Sequence, residues 1–186
     1  MCQLAVKILQ AIVLTSIFCV TALSAKVLSP LPSEVTQQWQ DLVIIGQTSL
    51  KRFGFHIYDA SFWMTSRQND ESYLTNLSAL SITYKKNIRA EKLLSSTKKE
   101  WRKLGIANDY PTDAWLYELQ QIWPDVKKGD QLIFVFDPNG MSTFFNTHKK
   151  LGTIEDSRFG PAFLSIWLGK NASFKKSRNE LLGKQK

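Results

Sequence analysis

QLIFVFDPNGMSTFF, residues 131–145, decides the fold class. Leu132, Phe134 and Phe136 alternate with Ile133 and Val135, so this run is apolar on both faces and belongs in the middle of a sheet. Asp137-Pro138-Asn139-Gly140 follows. Proline fixes φ and Asn-Gly tolerates positive φ, so the chain turns back on itself. Met141 to Thr147 then returns as the antiparallel partner.

Upstream, Asp41 to Thr48 reads as a strand with Leu42 to Ile45 as a continuous apolar run. Lys51 and Arg52 form a polar break. Phe53, Phe55 and Ile57 then alternate with Gly54, His56 and Tyr58, and aromatics continue through Phe62 and Trp63, which suggests a hairpin. Ala79 to Tyr84 is a further strand. Between these strands and the decisive hairpin the period changes. Ala90, Leu93, Leu94, Thr97, Trp101 and Leu104 fall at helical spacing, with Gly105 as cap. Trp115, Leu116, Leu119 and Ile122 form a second stripe, opened by Pro111-Thr112-Asp113 and ended by Pro124. Downstream, Leu151 to Ile154 extends the meander, and Phe159, Ala162, Phe163, Ile166 and Trp167 mark a third helix closed by Gly169. Ser33 is expected to cap a short helix toward Trp39, and Ser173 a last basic helix. The pattern is α+β, with helices on one face of a large antiparallel sheet.

The N-terminus has a different character. Lys7 precedes an uncharged apolar block, Ile8 to Ala25, that ends in small residues. That order predicts a signal peptide over 1–25 and one domain over 26–186, exported to the periplasm or secreted. The alternative is an N-terminal membrane anchor, because about 18 uncharged residues can just span a bilayer. Cys2 and Cys19 both lie in this segment, so the remainder has no thiol for a disulfide, a nucleophile or a metal. About 160 residues suffice for one core.

The formal net charge is +8. Cations concentrate in Arg89 to Lys103 and from Lys170 onward, giving two basic helical faces that suit an anionic membrane surface or an envelope protein. No motif of a nucleic-acid-binding fold is present, and none is expected as partner. His56 and His148 lack ligand spacing, so neither a metal nor another cofactor is expected. His148 sits in a Lys-rich turn. His56 lies on a strand beside Tyr58, as a pocket-edge residue or a general acid/base. A sheet covered by helices can leave an aromatic-lined cleft between the layers for an apolar ligand.

The run Gly46-Gln-Thr-Ser-Leu-Lys-Arg-Phe-Gly-Phe-His-Ile-Tyr-Asp-Ala-Ser-Phe-Trp63 resembles the opening strands of bacterial chalcone isomerase-like proteins. So do Tyr84 to Ile88, Trp101 to Gly105, Trp123 to Asp130, Asp137 to Gly140, Leu151-Gly152 and Phe163 to Gly169, in order, across roughly residues 40–183. The resemblance implies an open-faced β-sandwich. It also implies catalytic positions, an arginine, a threonine, a tyrosine and an asparagine in the plant isomerases, which fall here on Gly46, Tyr58, Arg89 and Ser96. None matches. The resemblance therefore implies a non-catalytic member. Related non-catalytic proteins hold a fatty-acid carboxylate with a basic and a tyrosine side chain, roles open here to Arg89 and Tyr58, with Ser96 and His56 as further polar groups at the cleft. Two alternatives stand beside that expectation: an isomerase or intramolecular lyase of unknown substrate, and an envelope protein- or membrane-interaction module.

Overall fold

The computed structural model describes residues 27–66 and 69–184. The expected signal peptide lies outside them. Six strands form one antiparallel sheet in sequence order: β1 (Val43–Arg52), β2 (Phe55–Met64), β3 (Ser78–Tyr84), β4 (Gln131–Phe136), β5 (Ser142–Phe145) and β6 (Lys150–Ile154). Helix α1 (Ser33–Gln38) precedes β1. Helices α2 (Ala90–Lys103), α3 (Ile106–Asp109) and α4 (Thr112–Ile122) connect β3 to β4, and α5 (Phe159–Leu168) and α6 (Lys175–Leu181) follow β6.

Side chains alternate across each strand, so register decides which face each one occupies. The rows Ala60–Ile82–Leu132 and Phe62–Leu80–Phe134 lie side by side across β2, β3 and β4. They join Phe144, Trp101, Trp115, Phe159 and Phe163 in the main core under the helices. Ala79, Ile133, Val135 and Phe145 belong to a second cluster with Val35 and Leu42. All six residues of β4 are buried, as its two apolar faces require. The expected helical layer therefore covers one face of the sheet. The chain around α1 covers part of the other. There Ser29 is fully buried, its Oγ 3.0 Å from that of Ser81 and 2.8 Å from Thr83 Oγ1.

The hairpin of β1 and β2 differs from the expectation. Lys51 and Arg52 continue β1, pairing with His56 and Phe55, and the turn is the two residues Phe53-Gly54. Both have positive φ, 49° and 76°. A two-residue loop of that handedness matches the twist of its strands, so the glycine, and not the charged pair, sets where the chain reverses. Phe53 is consequently 85% exposed and Phe55 58%. Ser173 also departs from its expected role: α6 starts after Phe174, and the Ser173 hydroxyl donates to Glu100 instead. Ser33 is the first residue of α1, which Pro32 precedes as cap. The short α3 and a 3₁₀ turn over Ser72–Leu74 carry no sequence signal of their own.

Candidate functional site

The space between sheet and helices, where a cleft was expected, is occupied by aromatic rings. Phe163 has its centroid 4.7 Å from Phe134, 5.4 Å from Phe144 and 5.5 Å from Phe159. Trp101 packs edge-on to Trp115 at 5.6 Å and donates its indole N–H to the Ala162 carbonyl at 3.1 Å. Tyr58 lies at the edge of this layer. It is buried, its hydroxyl accepts from Trp167 Nε1 at 3.1 Å, and its ring meets Tyr84 at 6.5 Å. Burial pushes its phenol up to about 12, and that of Tyr84 upward as well. At neutral pH Tyr58 is a neutral hydroxyl and not a phenolate base.

His56, Asp59, Ser49 and Lys85 form a polar cluster on β1, β2 and the start of the β3–α2 connection. The Asp59 carboxylate accepts from His56 Nε2 at 2.7 Å, from Ser49 Oγ at 2.5 Å and from Lys85 Nζ at 2.8 Å. Burial would raise its pKa, but these hydrogen bonds, that of Lys85 first, outweigh burial and hold it below the usual carboxylate range. A serine nucleophile needs the histidine between itself and the acid. Here the acid lies between serine and histidine, so Ser49 is not activated. An acid in the middle of an aromatic-rich strand is a signal the sequence carries, and Asp59 could have been marked from it.

Arg89 and Ser96 do not join Tyr58. Arg89 precedes the first turn of α2, exposed and 3.5 Å from Glu91, and Ser96 is exposed on the same helix. Gly46 lies against α6: a Cβ there would sit 2.0 Å from the Glu180 carbonyl oxygen. Among the described residues no three His, Cys, Asp or Glu side chains come together to hold a metal ion.

The open space lies on the outer side of the helical layer. A groove of about 510 Å³ runs between α3, α5 and the 3₁₀ turn, lined by Leu104, Ile106, Tyr110, Pro161 and Ala162 among others, with Arg158 and Lys170 along it. Both cations are exposed and already meet carboxylates, Arg158 at 2.7 Å from Asp156 and Lys170 at 2.7 Å from Glu71. An exposed single-contact pair such as Lys170–Glu71 is worth little, about 0–1 kcal/mol, so a ligand carboxylate can exchange into that one. A smaller hollow of about 110 Å³ lies on the other face of the sheet, beside Trp39 and Phe145. The groove residues come from helices distant in sequence and share no motif, which is why sequence reasoning passed over them.

Asp156 is the fixed acid beside the groove. It accepts from Arg158 Nε at 2.9 Å, Nη2 at 2.7 Å and backbone N at 3.0 Å, and from Trp115 Nε1 at 3.1 Å. The Arg158 hydrogen bond is the main cause that takes its carboxyl down from 3.8 to about 2. A folded-state pKa below the unfolded one stabilises above the unfolded value, and that contribution is lost as pH falls through the folded one. Thermal melts are therefore expected to decline from about pH 4 to pH 2, less steeply in Asp156→Asn; equal slopes would show that the clamp does not contribute.

Comparison with known proteins places this geometry. Residues 28–183 match the family model described as chalcone isomerase-like. An uncharacterized protein of Haemophilus influenzae is 30% identical over 151 residues, 80% of this chain and 70% of the relative. The crystal structure of a fatty-acid binding protein of Arabidopsis thaliana superposes with a TM-score of 0.61, covering 77% of this chain and 88% of that one at 9% identity. At that identity the likeness is one of fold.

Proposed function

We propose that this chain, which belongs to the chalcone isomerase-like family, is an exported, non-catalytic member that carries a small apolar molecule with an anionic end. The observation that carries the reading is the contrast between a sheet–helix interface filled by its own rings and an open groove that joins apolar side chains to two exposed cations. Those two features match the two ends of an amphiphile such as a fatty acid, the kind of ligand named for the Arabidopsis protein of the same fold. The isomerase reading has less support, because Gly46, Tyr58, Arg89 and Ser96 do not converge and Tyr58 holds its proton. Export rests on the Lys7 to Ala25 pattern.

Native mass spectrometry of the protein recovered from a periplasmic fraction tests both parts. The expected result is a chain starting near Lys26 that carries a stoichiometric amphiphile lost on denaturation. Ile106→Glu, which sets an unpaired charge in the groove, is expected to weaken fatty-acid binding roughly tenfold or more, while Tyr58→Phe leaves it unchanged. The reverse order would move the ligand into the sheet–helix interface, with Tyr58 and His56 at its mouth. A mass without ligand, unchanged after incubation with fatty acids, would sink the carrier reading.

A further inference from the structure

Of the seven dibasic pairs in the sequence, three lie on helices and four flank strands: Lys51-Arg52, Lys85-Lys86, Lys127-Lys128 and Lys149-Lys150. They are far apart along the chain, but the meander brings all four to one end of the sheet. Lys51-Arg52 ends β1 at the hairpin turn. Lys85-Lys86 follows β3, whose last residue, Tyr84, pairs with Tyr58. Lys127-Lys128 precedes β4, and the loop is tied to β3 by Gly129 N donating to the Tyr84 carbonyl at 2.8 Å. Lys149-Lys150 closes the β5–β6 turn, with Lys150 opposite Phe145. Lys85 is committed to Asp59. Among the described residues none of the other seven lies within ion-pair distance of a carboxylate. The connections at the opposite end hold Asp70, Glu71, Asp137, Glu155 and Asp156. The basic tail is internally paired there, Lys170 with Glu71, and Arg178 and Lys184 with Asp70.

The same end carries exposed apolar surface. Phe53 and Phe55 stand at the hairpin tip, 85% and 58% exposed, with Arg52 over one ring at 5.1 Å and Lys86 over the other at 3.6 Å. Phe53 is the one non-glycine residue with positive φ among the described residues. The first position of such a turn favours Asn, Asp or Gly, and a bulky residue there is strained. A residue that breaks the local rule and projects an aromatic ring into solvent is a mark of use rather than of folding.

We propose that this end of the sheet docks on an anionic phospholipid surface, with Phe53 and Phe55 entering the headgroup layer and the dibasic pairs meeting the lipid phosphates. The combination selects a bilayer over an acidic protein: unpaired cations supply attraction to anionic headgroups, and exposed apolar rings partition into the headgroup–acyl boundary just beneath them. The site is separate from the groove and does not depend on the carrier reading.

Flotation of the full chain with vesicles of phosphatidylcholine, alone or mixed with phosphatidylglycerol, tests it. The N-terminal apolar segment is present in every variant and meets both vesicle types, so the readout is the anionic excess and its fall with salt. Phe53→Asn supplies a residue the turn prefers, so it is expected to keep or raise the melting temperature while weakening anionic binding about fivefold. Lys127→Gln/Lys128→Gln is expected to cost about fivefold per cation. Equal binding to both vesicle types would overturn the proposal, as would full binding by Phe53→Asn. So would binding to a soluble polyanion that needs the lysines but ignores Phe53, which would assign the surface to an acidic polymer.

Discussion

Phe163→Ala is expected to destabilise the domain by about 3–5 kcal/mol, lowering its melting temperature by about 10 °C or more. The ring is 3% exposed and touches five others, Trp123, Phe134, Phe144, Phe159 and Trp167, at centroid distances from 4.7 to 5.9 Å. Its neighbours are held by strands on one side and helices on the other, so they cannot collapse into the space that truncation leaves. That space is apolar, and such cavities stay dry and accept small apolar molecules. A benzene-sized ligand should therefore raise the melting temperature of Phe163→Ala and leave the original protein unaffected. If the original protein is stabilised too, the interface opens on its own and the ligand belongs there instead of in the groove. A cost below about 1 kcal/mol would mean that the rings are not the tightly fitted layer described above.

The legible parts of the fold were those in which local and tertiary preferences agree. The Asp137 to Gly140 turn has a backbone bond from Gly140 N to the Asp137 carbonyl at 2.8 Å, with Gly140 at φ 91°. β4 was readable as central because both its faces are apolar. The helical stripes of α2, α4 and α5 fell where their 3.6-residue periods put them. The β1–β2 turn was not legible because Phe53 sits where residues of its kind are disfavoured, so the polar Lys51-Arg52 pair looked like the better break. The candidate site was less legible still. Sequence reading put Tyr58 at the mouth of a cleft with Arg89 and Ser96; in the fold it is buried on β2, where its hydroxyl meets the Trp167 indole and not Arg89. The groove depends on α3, which is four residues long, meeting α5 from more than fifty positions downstream. The four dibasic pairs were visible in the sequence one by one. Only the strand order turns them into a surface.

Gly46→Ala is expected to cost at least about 3 kcal/mol, more than most cases of overpacking, because the added atom meets main chain. Its Cβ would lie 2.0 Å from the Glu180 carbonyl oxygen, 2.6 Å from that of Leu181 and 2.8 Å from Gly183 N. No side-chain rotation relieves such contacts, and Gly46 already borders a register shift in the pairing of β1 with β2. The remaining escape is for α6 to leave β1, which gives up the burial of Leu181 and Leu182 and the hydrogen bond from Thr48 Oγ1 to Glu180. A double-mutant cycle separates the two responses. If α6 detaches, Leu181→Ala costs little more once Gly46→Ala is present; if the two costs add, α6 has stayed and the strain lies elsewhere. The position has a second meaning. By resemblance it is where plant chalcone isomerases carry the arginine that favours the phenolate. In this chain the helix that follows the sheet runs over that point so closely that not even a methyl group fits. Restoring Arg at 46 would therefore unseat α6 before it could create an isomerase site, and a Gly46→Arg chain that kept its fold would contradict this account of the missing arginine.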